Sequence, residues 1–177
     1  MFDFIQSPIL KQNINRTLTH ILDLLVVLNG EEVSQVAKSS YRKTIIIHTA
    51  SIVEAMLFDF MEQNLMDQDY VEREKKYRNI RIIHTISVDK RVIAGTEQII
   101  EKKLQKDKLN LAQIVKLLRG KDLIDSDVRK KVDTLRLLRN DQHLSTQGSC
   151  KEYSDKELDK ALSTMFEVQE FIEKKTK

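Results

Sequence analysis

A chain of 177 residues with 41% apolar side chains can bury a core without disulfides or a metal staple. Four glycines and one proline are too few turn formers for an all-β sandwich or barrel, whereas 32% charged and 6% aromatic residues with no tryptophan suit amphipathic helices. A net charge of +3 does not establish a nucleic-acid partner, and the lone Cys150 excludes an internal disulfide or a cysteine-based zinc cage.

These features predict a mainly α protein in one domain spanning residues 1–177, without a linker, repeat or low-complexity tract. The lone cysteine points to a reducing cytosol. The longest uninterrupted apolar run, Leu24 to Leu28, is far below the roughly 20 residues of a membrane span. The start, MFDFIQSPIL, lacks the basic and apolar regions of a signal peptide. The expectation is therefore a cytoplasmic protein with no membrane contact.

Taken in chain order, Ile9, Leu10, Ile14, Leu18, Ile21, Leu22, Leu25 and Val26 recur at helical spacing, and Gly30 marks a stop. A second helix is expected from about Glu32 to Leu65, bent near Ser39–Ser40. Its Ile45–Met61 segment is apolar on almost every side, as suits a central helix. Asp67 to Arg78 reads as a short exposed helix. Next, β-branched residues flank the polar pair Asp89-Lys90, which predicts a small β-hairpin insert over about residues 80–102; a weakly amphipathic helix is the alternative. Helices resume over Asn110–Arg119 and Ser126–Leu144. The last begins at the capping box Ser154-Asp155-Lys156-Glu157 and runs to about Glu173.

Charge is unevenly spread. Residues 70–131 hold 17 Lys and Arg against 9 Asp and Glu, while the remainder holds 13 against 18. A basic middle can meet phosphate or can simply be a solvated face.

The helix SDVRKKVDTLRLLRNDQHLS is the most informative stretch. Val128, Val132, Leu135 and Leu138 fall on one arc that should face the bundle, and Arg139 lies within that arc. Arg136, Arg139, Asn140 and His143 form a contiguous polar strip at helical spacing. An arginine in a packing arc costs desolvation unless it has a partner or faces a cleft. Imidazole suits proton transfer near neutral pH, and a guanidinium can hold a phosphate bidentately and stabilise charge on a phosphorane. These parts suit metal-free RNA cleavage, in which a ribose 2′-OH attacks the adjacent phosphorus. They also suit an Arg–Asp ion pair at a helix end whose dipole favours His143. Glu54, on the apolar central helix, can partner Arg139 or Arg136 or reach solvent at a helix crossing.

The string LRLLRNDQHL resembles the signature helix of the HEPN superfamily (higher eukaryotes and prokaryotes nucleotide-binding domain). That motif has an arginine, about four to six intervening residues and a histidine, with a polar residue, often Asn, after the arginine. SIVEAMLFDFMEQ is similar to the long central helix of bacterial members, and a hairpin insert before the signature helices also fits. Arg139-Asn140 supplies the dipeptide, but only three residues separate Arg139 from His143. Arg136 has six intervening residues but is followed by Leu137. The catalytic arginine is thus open between the two, with Arg139 preferred and Arg136 as a phosphate-binding auxiliary.

The resemblance implies a dimeric HEPN-like helical bundle with catalytic Arg139, Asn140 and His143. It further implies metal-independent endoribonuclease activity on single-stranded RNA, in a toxin–antitoxin, abortive-infection or other phage-defence setting with an antitoxin or other protein partner. Some members instead serve as non-catalytic binding or scaffold modules. No cofactor is expected, since there is no Gly-rich phosphate loop, and His20, His48 and His84 are too scattered for a metal site. Tyr41, Arg42 and Lys43 can line an RNA groove or form an ordinary exposed turn. Cys150 has no matched base nearby and is not read as a nucleophile.

Overall fold

The computed structural model describes residues 2–30, 32–140 and 152–176. Over them the chain forms α1 (Pro8–Leu28), α2 (Gln35–Asn64), β1 (Val71–Ser87), β2 (Lys90–Lys103), α3 (Leu111–Gly120), α4 (Ser126–Asn140) and α5 (Asp155–Lys175). The protein is mainly α with one two-stranded antiparallel hairpin. All the helices belong to one compact unit, and Leu65–Leu109 forms a second.

In the helical unit, α2 is central. Eleven of its residues from Ile45 to Met61 are buried, facing α1, α3, α4 and α5 on different sides. Length and composition alone would let α2 cross a bilayer, but 61% of its most apolar stretch is already buried within the protein. The first helix is capped by Ser7, whose hydroxyl accepts from Leu10 N–H, with Pro8 in the first turn. It buries only the narrow seam Ile14, Ile21 and Leu28, leaving Ile9, Leu22 and Val26 exposed. The segment before α1 folds back onto α2. Phe2 and Ile5 are buried, and the buried Asp59 carboxylate accepts from Gln6 N–H and from the Gln63 amide.

The last helix starts at the expected capping box: Ser154 Oγ accepts from Glu157 N–H, and Glu157 Oε2 accepts from Ser154 N–H. Its N-terminus is tied to α2, because Arg42 Nε donates to Asp155 Oδ1 at 2.6 Å and Tyr153 N–H donates to Ser39 Oγ at 2.9 Å. The α4 helix is described as far as Asn140, so its expected continuation to Leu144 lies outside the described residues.

In the second unit, the hairpin expected over residues 80–102 is present but begins at Val71. Asp67–Arg78 is therefore not a short helix; only Asp67–Asp69 form a single 3-10 turn. The strand is favoured by pairs that span the ribbon. Arg73 faces Glu101 and bonds it at 2.8 Å, while Lys75 and Tyr77 both reach Glu97. Farther out, β1 carries three register irregularities while β2 runs through unbroken. The first lies at Asn79, whose φ is 53°, opposite Gly95. A Cβ on Gly95 would stand 3.1 Å from the Arg78 carbonyl oxygen, so glycine permits this close approach.

Candidate functional site

The site is built on α4. Val128, Val132 and Leu135 of its apolar arc are buried, and Leu138 is half-buried. That anchoring turns the next residues toward a cleft of about 630 Å³ inside the helical unit. Arg136, Arg139 and Asn140 line it from α4, and Lys43, Ile47 and Glu54 from α2. Asn110, Leu111 and Ala112 close it at the start of α3. Its volume lies within the range of small-molecule and nucleotide sites.

Arg139 Nη1 donates to Glu54 Oε2 at 2.6 Å. The two side chains are 38% and 24% exposed, so the pair is reachable from solvent. The Arg136 Nε lies 3.5 Å from Asp133 Oδ1, which is too long and poorly placed for a hydrogen bond, and this buried nitrogen has no hydrogen-bond partner among the described residues. The α3 helix opens with its own capping box, in which Asn110 and Gln113 satisfy each other's backbone N–H. The N–H groups of Leu111 and Ala112 have no intrahelical acceptor, and the positive end of the helix dipole faces the cleft.

Three cations, one carboxylate and a helix N-terminus make the cleft an environment for an anion. Arginine suits a planar two-oxygen contact with a phosphate, and lysine contributes a point charge. Where α4 meets α5, Lys131 is clamped between Asp127 and Glu167, whose hydrogen bonds push its ammonium pKa upward.

The fold thus brings together Arg136, Arg139, Asn140 and Glu54 from the sequence reading. His143 and Cys150 lie outside the described residues. Of the Tyr41–Lys43 group, Lys43 lines the cleft, whereas Arg42 is committed to Asp155 and the Tyr153 carbonyl. Sequence reasoning missed the start of α3 as a wall of the site. Its signal was the N-x-x-Q capping pattern at Asn110, which marks a helix start but not what that start faces.

Away from the cleft, His20 and His48 meet edge-to-face with ring centroids 5.0 Å apart. Burial, and then the charge of His20, lowers the His48 pKa from its ordinary 6.5. The unfolded chain therefore binds this proton more readily than the folded one. The stability contributed by neutral His48 is present above the ordinary value and is lost as pH falls toward the lowered one. Between about pH 7.5 and pH 5, His48→Gln should lose less thermal stability than the wild type. Thermal melts of both proteins at each pH check this, and equal losses would contradict it.

Scans against protein-family models, curated proteins and solved structures find no match to this chain.

Proposed function

We propose that this chain is a cytoplasmic, HEPN-like, metal-independent endoribonuclease that cleaves single-stranded RNA, acting as a homodimer in a toxin–antitoxin or phage-defence setting. The observation that supports this most is the Arg139–Glu54 pair. An arginine in a packing arc is held by a carboxylate at the edge of a cationic cleft, beside Arg136 and Asn140.

In this reading Arg139 contacts the scissile phosphate, Arg136 holds a neighbouring phosphate oxygen, and Glu54 positions the Arg139 guanidinium. His143 takes the proton from the ribose 2′-OH as the 2′ oxygen bonds to phosphorus and the bond to the 5′ oxygen breaks. The departing 5′ oxygen receives a proton, supplied by the second subunit's copy of the strip. The products are a 2′,3′-cyclic phosphate and a 5′-hydroxyl. Asn140 orients the phosphate or the imidazole.

A second reading is a non-catalytic dimeric module that binds RNA, a nucleotide or a protein. One observation favours it: Glu54 Oε2 holds Arg139 Nη1 and offsets part of the charge that a phosphate would meet there. Incubating the purified protein with single-stranded RNA in EDTA separates the two. The nuclease reading expects fragments ending in 2′,3′-cyclic phosphate and a loss of at least about 10²-fold in His143→Ala. Cleavage that survives the substitution or requires magnesium overturns it. RNA binding without cleavage, alike in both proteins, favours the binding module.

A further inference from the structure

The hairpin has two chemically different faces, and the strand register defines them. Because β2 runs without a bulge, residues 90, 92, 94, 96 and 98 share one face, with their β1 partners 87, 84, 81, 78 and 76 opposite them on it. From Lys76 outward that face presents Lys76, Arg78, Arg81 and Lys90, with His84 among them and no carboxylate, while Glu74 and Glu72 continue it toward the base of the hairpin. All four cations are exposed, and none of their side chains makes an ion pair or hydrogen bond with another described residue. The other face carries Glu97 and Glu101, paired with Lys75 and Arg73, along with Arg91, Lys103, Tyr77 and isoleucines such as Ile82 and Ile93. Measured along β2, the basic face extends roughly 27 Å at about 3.4 Å per residue.

We propose that this face of the hairpin binds the phosphate backbone of single-stranded nucleic acid. Four exposed cations spaced along a two-stranded ribbon match a regularly charged polyanion, and the counterions that the phosphates release supply the affinity. Between Lys76 and Lys90 the basic face carries no Phe, Tyr or Trp, since Tyr77 lies on the other, and His84 is its single ring. One imidazole is not a series of stacking platforms, so recognition rests on the backbone and is independent of sequence. This inference does not depend on the cleavage reading, because it concerns backbone phosphates and not the 2′-OH.

The test measures binding of the full chain to labelled poly-dT and poly-U by fluorescence anisotropy across a salt series. Poly-dT lacks the 2′-OH and cannot be cut by the proposed chemistry, so its binding is read without turnover, and the hairpin variant isolates the hairpin's share. Both probes should bind with affinities within about threefold, and log K should fall with log salt at a slope near −3, as about four phosphate contacts on a single strand require. The variant Lys76→Gln/Arg78→Gln/Arg81→Gln/Lys90→Gln should bind at least about tenfold more weakly with a much flatter slope. Removing four charges elsewhere, in Lys156→Gln/Lys160→Gln/Lys174→Gln/Lys175→Gln, should change affinity less than about twofold. Equal losses in the two variants would reduce the effect to net charge and overturn the proposal. Absence of poly-dT binding at low salt would overturn it too, as would binding to phosphatidylserine vesicles in place of nucleic acid.

Discussion

Under the proposed nuclease reading, Arg139→Ala is expected to slow RNA cleavage by about 10²–10³-fold while moving the unfolding free energy by less than about 1 kcal/mol. The two expectations come from the same geometry. The Arg139–Glu54 pair is partly exposed, at 38% and 24%, so its Coulombic gain is screened and its loss is cheap for the fold. The same exposure leaves the guanidinium able to meet a phosphate, where charge growing on the transition state makes its contribution large. Glu54→Gln keeps the side-chain shape and one hydrogen-bond acceptor but loses the charge that holds the arginine. It should reduce cleavage by about tenfold, with Arg139→Lys not restoring the wild-type rate because an ammonium cannot reproduce the two-oxygen contact. Single-turnover cleavage and urea unfolding on the same preparations check both sides. A large stability loss in Arg139→Ala with RNA handling unchanged would make the pair a structural strut.

Most of the helical framework was legible because its causes are local. Few glycines, one proline and apolar spacing near 3.6 set the helices, and the capping box at Ser154 placed the start of α5 within a residue of that observed. What escaped the sequence is set by partners far along the chain. Glu72 to Arg78 has side chains that fit a helix as well as a strand, and pairing with residues 96–102 decides the matter. In α1, eight apolar positions looked equivalent, but packing on α2 uses one seam and leaves Ile9, Leu22 and Val26 exposed. At the site, the residue types on α4 could be read directly. The meeting of Arg139 with Glu54 across 85 positions could only be offered beside an Arg136 partnership, because the choice depends on how α4 crosses α2.

The crossing that places Glu54 under Arg139 depends on α2 being held from all sides, and Phe60 is where that hold should be most costly to weaken. Its side chain is 2% exposed and meets the Phe171 ring of α5 edge-to-face, with centroids 6.5 Å apart. Phe60→Ala removes the buried ring and leaves a cavity that neighbouring helices can only partly close, a loss of about 3–5 kcal/mol. Against a total stability of about 5–15 kcal/mol for a domain of ordinary size, that is a large fraction. Phe60→Leu, which keeps most of the volume, should lose less than about 2 kcal/mol. Phe166, also on α5 but 45% exposed, gives the contrast: Phe166→Ala should stay within about 0.5 kcal/mol. Urea titrations followed by circular dichroism at 222 nm measure all three, with the midpoint shift ordered Phe60→Ala, Phe60→Leu, Phe166→Ala. If Phe60→Ala shifted stability by less than about 1 kcal/mol, α2 would not be the packed centre on which the cleft's geometry relies.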